Sequence, residues 1–352
     1  MISLLQTKRT PIGIDIGSRV VKLVQLSADG KRVLEAAHWE LPAERAEGPT
    51  DGRTQLVQAL RQARAGKRFR GSEAVLCLSP RELSVQNVRV AKGEPFQVEQ
   101  AARQEVMTRT QWSAQETELR FIDAADVRQT DGVKREVIVL ACHQPKLDSM
   151  LTAVEEAGFE PVAVDVEPAA LLRVYQRQYR REVDQTTRTM FVHMGNATTS
   201  VFITQGDEIL FIKHLELGGQ HFDEVVSRRL QMTMTEAAML RRNNGDRRAD
   251  QQDPEVAKSV AESCRPVLER LVNEISLCVR YHSVTFRGQP LKRLILAGGE
   301  ANPAFVELLG ARLDLKCEIG DPLRGMDTVA LAGRRSQWDV ALGLALRQVS
   351  AL

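Results

Sequence analysis

The first part of the chain shows the polar and apolar pattern of a β-hairpin. Apolar segments at residues 12–16 and 20–26 flank a Gly17-Ser18 turn, which predicts two antiparallel strands. Glycine lets the backbone at such a turn approach a ligand closely, and successive N–H groups there converge on an anion. Asp15 is a candidate Mg²⁺ ligand, and Lys22 supplies a positive charge for phosphate oxygens. This hairpin therefore predicts a phosphate site.

The same pattern recurs about half a chain later. Apolar segments at 190–194 and 199–203 flank a turn made of glycine and small polar residues. When the two turns are aligned on their glycines, His193 falls on the position of Asp15. A duplicated hairpin at this distance predicts two related domains that face each other. The candidate ligand-binding residues of the second turn are Gly195, Asn196, Ala197 and Thr198.

Two glycine pairs follow predicted strands in the second half of the chain. Gly298-Gly299 come after the apolar strand 293–297 and before a helix predicted to begin at Asn302. Gly218-Gly219 come after a strand predicted at 208–217 and before another helix. Because backbone without side chains packs closely against a flat ring, these pairs are candidate nucleotide contacts.

Two phosphate hairpins and a Gly-Gly loop in this order resemble the nucleotide-binding set of the actin, Hsp70 and sugar-kinase superfamily. Within it, the chain most resembles the branch of the type IV pilus assembly family PilM and the cell-division family FtsA. The resemblance covers nearly the whole chain and includes the connecting segments 165–171 and 341–346. It implies an α/β, actin-like (ribonuclease H-like) fold of two domains.

The resemblance also implies a subdomain inserted into the first domain. Residues 83–160 show a β-α-β-β-α pattern at the point where PilM and FtsA carry such an insertion. The predicted parts of the chain are residues 1–82, the N-terminal part of the first domain; 83–160, the insertion; 161–185, the return to the first domain and a connecting helix; 186–336, the second domain; and 337–352, a C-terminal helix returning to the first domain.

Two further predictions concern the second domain. Apolar residues from Val256 to His282 recur at intervals of three, four and seven, which predicts one long helix that Pro266 bends. The polar, charged stretch 241–253 that precedes it predicts a loop.

By resemblance, ATP and Mg²⁺ are expected to bind between the domains. Lys22 is implied to neutralise the β- and γ-phosphates, while Gly218-Gly219 and Gly298-Gly299 approach the ribose and adenine. Glu167, in the first connecting segment, is implied to orient an attacking water. The alternative for Glu167 is an exposed acid favoured by a helix dipole. The implied phosphate contacts are the amides near Gly17 and Ser18, those of Gly195, Asn196 and Ala197, and the Thr198 hydroxyl.

Two residues depart from the family's pattern. His193 stands where relatives place an aspartate, and a neutral imidazole is a poor partner for Mg²⁺. Ala238 stands where relatives place a glutamate near the adenosine, and alanine cannot bond a ribose or adenine edge. These departures leave open weak ATP binding, binding without turnover and an architectural hinge. His193 as a catalytic base lacks any partner that the sequence can place beside it.

Composition restricts the class of protein. A chain of 352 residues with 43% apolar and 27% charged residues has the composition of a globular protein large enough for two domains. A formal charge of +2, with basic clusters that lack interleaved aromatic residues, argues against binding to nucleic acid.

Cysteine usage and hydropathy predict the compartment. The five cysteines form no CxxC pair and no metal-like cluster with the six histidines, which indicates a reducing environment. No apolar run reaches the roughly 20 residues of a membrane span. We therefore expect a cytoplasmic protein that reaches the inner membrane through partners or through an N-terminal segment containing Leu4, Leu5, Lys8 and Arg9.

The expected function is recruitment in type IV pilus assembly or the related type II secretion machinery. The resemblance implies binding of the N-terminal tail of a PilN-like bitopic inner-membrane protein, as an extended segment, in a groove that involves the insertion. Self-association stays open. The alternatives are an FtsA-like anchor, which would carry a C-terminal amphipathic helix, and a small-molecule kinase, which would need an aspartate where residues 79–93 offer only Glu82.

Overall fold

The computed structural model describes residues 9–42, 49–129, 132–246, 253–286 and 288–348. Leu4, Leu5 and Lys8 of the N-terminal segment lie outside these ranges. Within them, no helix is both long and apolar enough to cross a membrane.

Two five-stranded sheets of the same topology form the framework. In each sheet three strands that follow one another in sequence pair antiparallel, and two later strands join in parallel beside the first of the three. The first sheet contains β1 (Ile12–Ile16), β2 (Val20–Leu26), β3 (Val33–Glu40), β4 (Glu73–Leu78) and β8 (Glu160–Val166), in the order β3-β2-β1-β4-β8.

The second sheet repeats this arrangement, with two antiparallel pairs followed by two parallel ones. Both predicted hairpins are therefore confirmed, as β1-β2 and as β9-β10. The repeated strand order confirms the relation between the two halves that the turns suggested. The second sheet contains β9 (Arg188–Met194), β10 (Thr199–Gln205), β11 (Glu208–Leu215), β12 (Arg293–Ala297) and β13 (Lys316–Ile319), in the order β11-β10-β9-β12-β13.

The segment predicted as an insertion forms a three-stranded sheet with the order β5-β7-β6. Its two long strands, 117–129 and 132–143, extend beyond their apolar stretches, because charged pairs such as Arg135 with Asp126 continue the pairing. The segment contains β5 (Leu83–Ala91), α2 (Pro95–Met107), β6 (Thr117–Gln129), β7 (Gly132–His143) and α3 (Gln144–Glu156).

The predicted loop at 241–253 is wrong over its first part, since α7 continues to Asp246. Residues 247–252 lie outside the described residues. Arg241 is fixed in this helix by ion pairs with Asp223 and Glu300, a tertiary stabilisation that local polarity does not reveal. The predicted long helix is confirmed as α8. The helices outside the insertion are α1 (Pro49–Arg64), α4 (Glu167–Tyr175), α5 (Glu182–Thr186), α6 (Gly219–Leu230), α7 (Met234–Asp246), α8 (Pro254–Thr285), α9 (Pro303–Leu313) and α10 (Asp339–Ala345).

Helices α4 and α10 connect the two halves and cross in close contact. A Cβ atom on Gly343 would overlap the carbonyl of Ala170, and one on Gly13 of β1 would overlap the carbonyl of Ala341. Helix α10 therefore packs directly against both α4 and the first sheet. This close packing places the N-terminal residues of α4 and α10 beside each other at the junction.

We expect Gly343→Ala to lower the free energy of unfolding by about 1–3 kcal/mol, because the added methyl forces the two helices apart. Urea denaturation measures the change. Gly52→Ala in α1 is the control, since nothing lies within 4 Å of the position that a Cβ atom would take there, and it should be neutral or stabilising. Equal effects of the two substitutions would contradict the close crossing.

Candidate functional site

A cavity of about 270 Å³ lies between the two sheets, where the two hairpin turns face each other. The turns are equivalent: the Gly17 N–H donates to the Val20 carbonyl, and the Gly195 N–H donates to that of Thr198. The predicted residues that line the cavity are Asp15, Gly17, Ser18, Lys22, Glu167, Gly195, Asn196, Ala197, Thr198 and Gly299.

Across the cavity the two turns contact one another directly. Asn196 Nδ2 donates a hydrogen bond of 3.2 Å to Ser18 Oγ. The structure thus brings together the two turns that the sequence places 178 positions apart. The residues of both turns form one wall of the cavity.

Asp15 and Lys22 lie opposite each other on the first hairpin. Their charged atoms are 2.6 Å apart, and each side chain is less than 15% exposed. Burial alone would lower the pKa of Lys22, but the charge and hydrogen bond of Asp15 outweigh it and raise this pKa. The predicted metal ligand is therefore already neutralised by the predicted phosphate lysine.

His193 occupies the centre of a buried charge cluster. Its Nδ1 lies 3.0 Å from Glu167 Oε1, and its Nε2 lies 3.3 Å from Asp339 Oδ1. Glu167 begins α4 and Asp339 begins α10, so one imidazole links the second sheet to both connecting helices. The acid partners that the sequence could not place beside His193 are thus present.

Asp339 is the main residue of the site that sequence reasoning missed. It is completely buried, and its Oδ2 accepts hydrogen bonds from the Gly298 N–H at 3.0 Å and from the Tyr175 hydroxyl at 3.4 Å. These bonds fix the carboxylate in front of the imidazole. Glu167 Oε1 is also buried. It lies close to His193 Nδ1 but makes no well-aligned hydrogen bond.

Opposite charges determine the protonation of this cluster. Burial alone would lower the pKa of His193, but Glu167 and Asp339 raise it well above its ordinary value. Burial alone would raise the pKa of Glu167, but His193 lowers it to about 2. The nearby His214, bonded to Ser200 at 2.9 Å, has its pKa lowered by burial and stays neutral. The cluster is therefore an imidazolium between two carboxylates.

The residues present do not fit Mg²⁺. This ion prefers several oxygen ligands in octahedral geometry, whereas Asp15 is paired with Lys22, and Glu167 with His193. Within the described ranges, no group of three or more histidine, cysteine, aspartate or glutamate side chains is arranged to hold a metal ion. The predicted role of Asp15 as a metal ligand thus has no support from its surroundings.

The side of the cavity expected to contact ribose and adenine is occupied by a second ion-pair network. Arg241 donates to Asp223 at 2.7 Å, to Glu300 at 2.8 Å and to the Gly219 carbonyl at 3.3 Å. Arg242 also donates to Glu300, at 2.7 Å. This network lies against the Gly218-Gly219 pair. Ala238, on the same helix, is buried and does not line the cavity.

Three of the four glycines in the two predicted Gly-Gly pairs lie behind the turns and do not line the cavity: Gly218, Gly219 and Gly298. Their small size is required by the protein itself. A Cβ on Gly218 would lie 2.6 Å from the Asn196 carbonyl oxygen. Gly298 adopts φ +90°, and a side chain there would overlap the Met194 carbonyl. These glycines therefore support the second turn from behind.

Arginines that the sequence analysis did not single out also line the cavity: Arg19, Arg242 and Arg334. Arg19 directly follows the first turn, so its position in the sequence could have indicated that it lines the cavity. Burial and the nearby Arg242 lower the pKa of Arg19. The wall thus carries excess positive charge, which suits an anionic ligand.

We expect His193→Gln to lower the free energy of unfolding by about 3–5 kcal/mol, because it leaves two buried carboxylates without their cation. Because the pKa of His193 is raised in the folded protein, its contribution to stability is complete below its ordinary pKa of 6.5. This contribution is lost as pH rises through the pKa of the folded state. The lowered pKa of Glu167 makes its stabilisation complete above 4.5 and lost as pH falls towards about 2. The difference in Tm from wild type should therefore be largest between pH 4.5 and 6.5.

Thermal unfolding across pH, followed by circular dichroism, measures this difference. The control is His38→Gln, since His38 is exposed on β3. A difference in Tm that stays constant as pH rises above 6.5, or that equals the difference for His38→Gln, would contradict the buried imidazolium.

Comparison with known proteins identifies the fold and the family. The structure entitled "PilM-PilN type IV pilus biogenesis complex" has a TM-score of 0.80 and 23% identity, over 97% of this chain and 99% of that one. The ethanolamine utilization protein EutJ from Carboxydothermus hydrogenoformans has a TM-score of 0.57 and 14% identity, over 96% and 89% of the two chains. MreB5 of Spiroplasma citri bound to ADP has a TM-score of 0.51 and 9% identity, over 96% and 95%.

These similarities confirm the predicted actin-like fold. The family model described as type IV pilus assembly protein PilM matches residues 13–349, which is nearly the whole chain. The chain therefore belongs to the PilM family of type IV pilus assembly proteins.

Proposed function

We propose that the protein is the cytoplasmic actin-like component of a type IV pilus assembly machine and recruits the N-terminal tail of a PilN-like inner-membrane protein. The observation that carries this proposal is the match to the family over residues 13–349, together with the shared fold of a protein solved as a PilM–PilN complex. The protein would then be held at the inner membrane by its partner.

A groove of about 350 Å³ between α1 and α3 is the site that we propose for the tail. We call it the α1–α3 groove. It joins the first sheet to the last helix of the inserted segment. Apolar side chains of Leu41, Leu56 and Met150 line it beside the charged Arg81 and Lys146. Such a surface suits an extended peptide that inserts apolar side chains between polar rims.

Contacts between α1 and the C-terminal end of α3 preform this groove. Arg53 forms an ion pair with Glu156, and Arg61 donates to the Glu156 carbonyl at 2.6 Å. Arg64 donates to the Gly158 carbonyl at 2.6 Å. Because these bonds hold the two helices together, a tail would enter a groove with little rearrangement.

The groove and the interdomain cavity share part of their walls: Ile16, Ser18, Cys77 and Ser79 line both. A ligand that moves the Ser18 turn would therefore change the shape of the groove. We therefore propose that the occupancy of the cavity biases recruitment, to the extent that the two states bind the tail differently.

We further propose that the cavity binds the phosphate end of a nucleotide such as ATP. The Gly17-Ser18 and 195–198 turns and Lys22 would hold the phosphates, which supply negative charge to a wall rich in arginine. Glu167, whose buried Oε1 lacks a well-aligned hydrogen bond, is the proposed residue for orienting a water. Since His193 holds this carboxylate, we propose binding as the main event and at most slow hydrolysis.

Peptide binding tests the recruitment proposal. A fluorescent peptide with the sequence of the N-terminal tail of the PilN-like protein from the same genome should bind the full chain. Ser149→Trp places a bulky ring in the α1–α3 groove from an exposed position on α3, and it should weaken binding about tenfold or more by blocking the apolar floor. Fluorescence anisotropy measures the affinity.

Ser283→Trp is the matched control, because Ser283 is also an exposed helical serine and does not line the groove. It should bind the peptide like the wild type. Absence of binding to the wild-type protein would overturn the recruitment proposal. Equal affinities of all three proteins would instead overturn the choice of groove.

A further inference from the structure

The interdomain cavity contains its own fixed cations at the positions where a divalent ion would be expected. We infer that His193, held between Glu167 and Asp339, and Lys22, held by Asp15, take the place of Mg²⁺, so that the cavity binds the phosphate chain of a nucleotide without a divalent metal. This inference deepens the nucleotide binding proposed above and rests on it.

Asp15, Glu167 and Asp339 already have protein cations as partners. Asp15 is 2.6 Å from Lys22, and Glu167 and Asp339 are 3.0 and 3.3 Å from His193. A divalent ion would have to displace a buried partner from one of these acids. Displacement leaves that partner as an unpaired charge in a poorly solvated site, which is strongly unfavourable.

Glu300, which also lines the cavity, is paired in the same way. Its two oxygens accept hydrogen bonds from Arg241 at 2.8 Å and from Arg242 at 2.7 Å, and the residue is only 4% exposed. The carboxylates therefore serve to position cations. Each of these four carboxylates has at least one oxygen beside a protein cation.

The charge of the cavity wall favours an anionic ligand. Five cationic side chains line the cavity against three carboxylates. Arg19 and Arg242 both line this wall, and burial together with the charge of Arg242 lowers the pKa of Arg19. A phosphate chain would relieve the repulsion between these cations directly through charge-assisted hydrogen bonds. The side chains counted are Arg19, Lys22, His193, Arg242 and Arg334 against Asp15, Glu167 and Glu300.

The fixed cation also joins the structural parts that surround the cavity. His193 is on β9 of the second sheet, whereas Glu167 and Asp339 begin the two connecting helices. An ion bridging the same three elements would be redundant. The junction is therefore already closed at this point before any ligand enters.

Two measurements on the full-length wild-type protein test the inference. A fluorescent ATP analogue, titrated once with EDTA and once with Mg²⁺, should bind with affinities that differ by less than about twofold, because the resident cations are present in both. Electron paramagnetic resonance should detect no binding of Mn²⁺ to the protein alone. A tenfold or greater gain of ATP affinity with Mg²⁺, or tight Mn²⁺ binding, would overturn the inference.

The gain-of-function variant is His193→Asp, which replaces the fixed cation by a third carboxylate. It should bind Mn²⁺ about tenfold more tightly than the wild type or better, and Mn²⁺ should raise its Tm. Ser283→Asp is the control, because it adds a carboxylate at an exposed position on α8 that does not line the cavity, and it should bind no Mn²⁺. Failure of His193→Asp to gain Mn²⁺ binding while folded would also overturn the inference.

The two proposals fail in different ways. If the wild-type protein binds the ATP analogue in neither condition, nucleotide binding at this cavity is wrong, and the metal-free phosphate site fails with it. If the analogue binds only with Mg²⁺, nucleotide binding stands and the replacement of the metal is wrong. The wild-type titrations need no variant, so a variant that does not fold leaves the test intact.

Discussion

The rest of the site depends on one interaction, the imidazolium of His193 held between Glu167 and Asp339. It lies where the second sheet meets the helices that connect it to the first. A buried charge is tolerated only when it is paired, so the position of each of these residues constrains the other two. The close crossing of α4 and α10 at Gly343 brings the two carboxylates near enough to share one cation.

The same principle extends over the whole cavity. Lys22 neutralises Asp15, and two arginines neutralise Glu300, so the acids of the site act as anchors for cations. An actin-like fold supplies the two turns and their amides. In this chain protein cations stand beside every acid named here, and one of them, His193, departs from the pattern that the family resemblance implies. The outcome is a cavity suited to an anion and unsuited to a divalent metal.

Sequence patterns predicted the features that are local. Each hairpin is contained in a short stretch of apolar residues around a glycine turn, and helix α8 shows its apolar stripe directly. The fold followed from the order of these motifs and from the family resemblance. The alignment of the two turns even identified His193 as the residue that departs from the pattern.

Features that depend on contacts between distant segments could not be predicted in this way. Asp339 lies just before the second connecting segment recognised in the sequence, and only the packing of α10 brings it to His193. The helical state of Arg241 depends on ion pairs with Asp223 and Glu300, whereas its polar neighbours favoured a loop. Gly218 and Gly298 were recognised as special, but whether a glycine accommodates a ligand or the protein's own backbone is decided by its three-dimensional neighbours.

The central claim is that His193 is a buried imidazolium, and nitrogen NMR of the full-length protein with labelled histidine tests it most directly. At neutral pH, the account predicts that both ring nitrogens of His193 are protonated and that the signal is lost in His193→Gln. A neutral ring with a single protonated nitrogen at neutral pH would contradict the account.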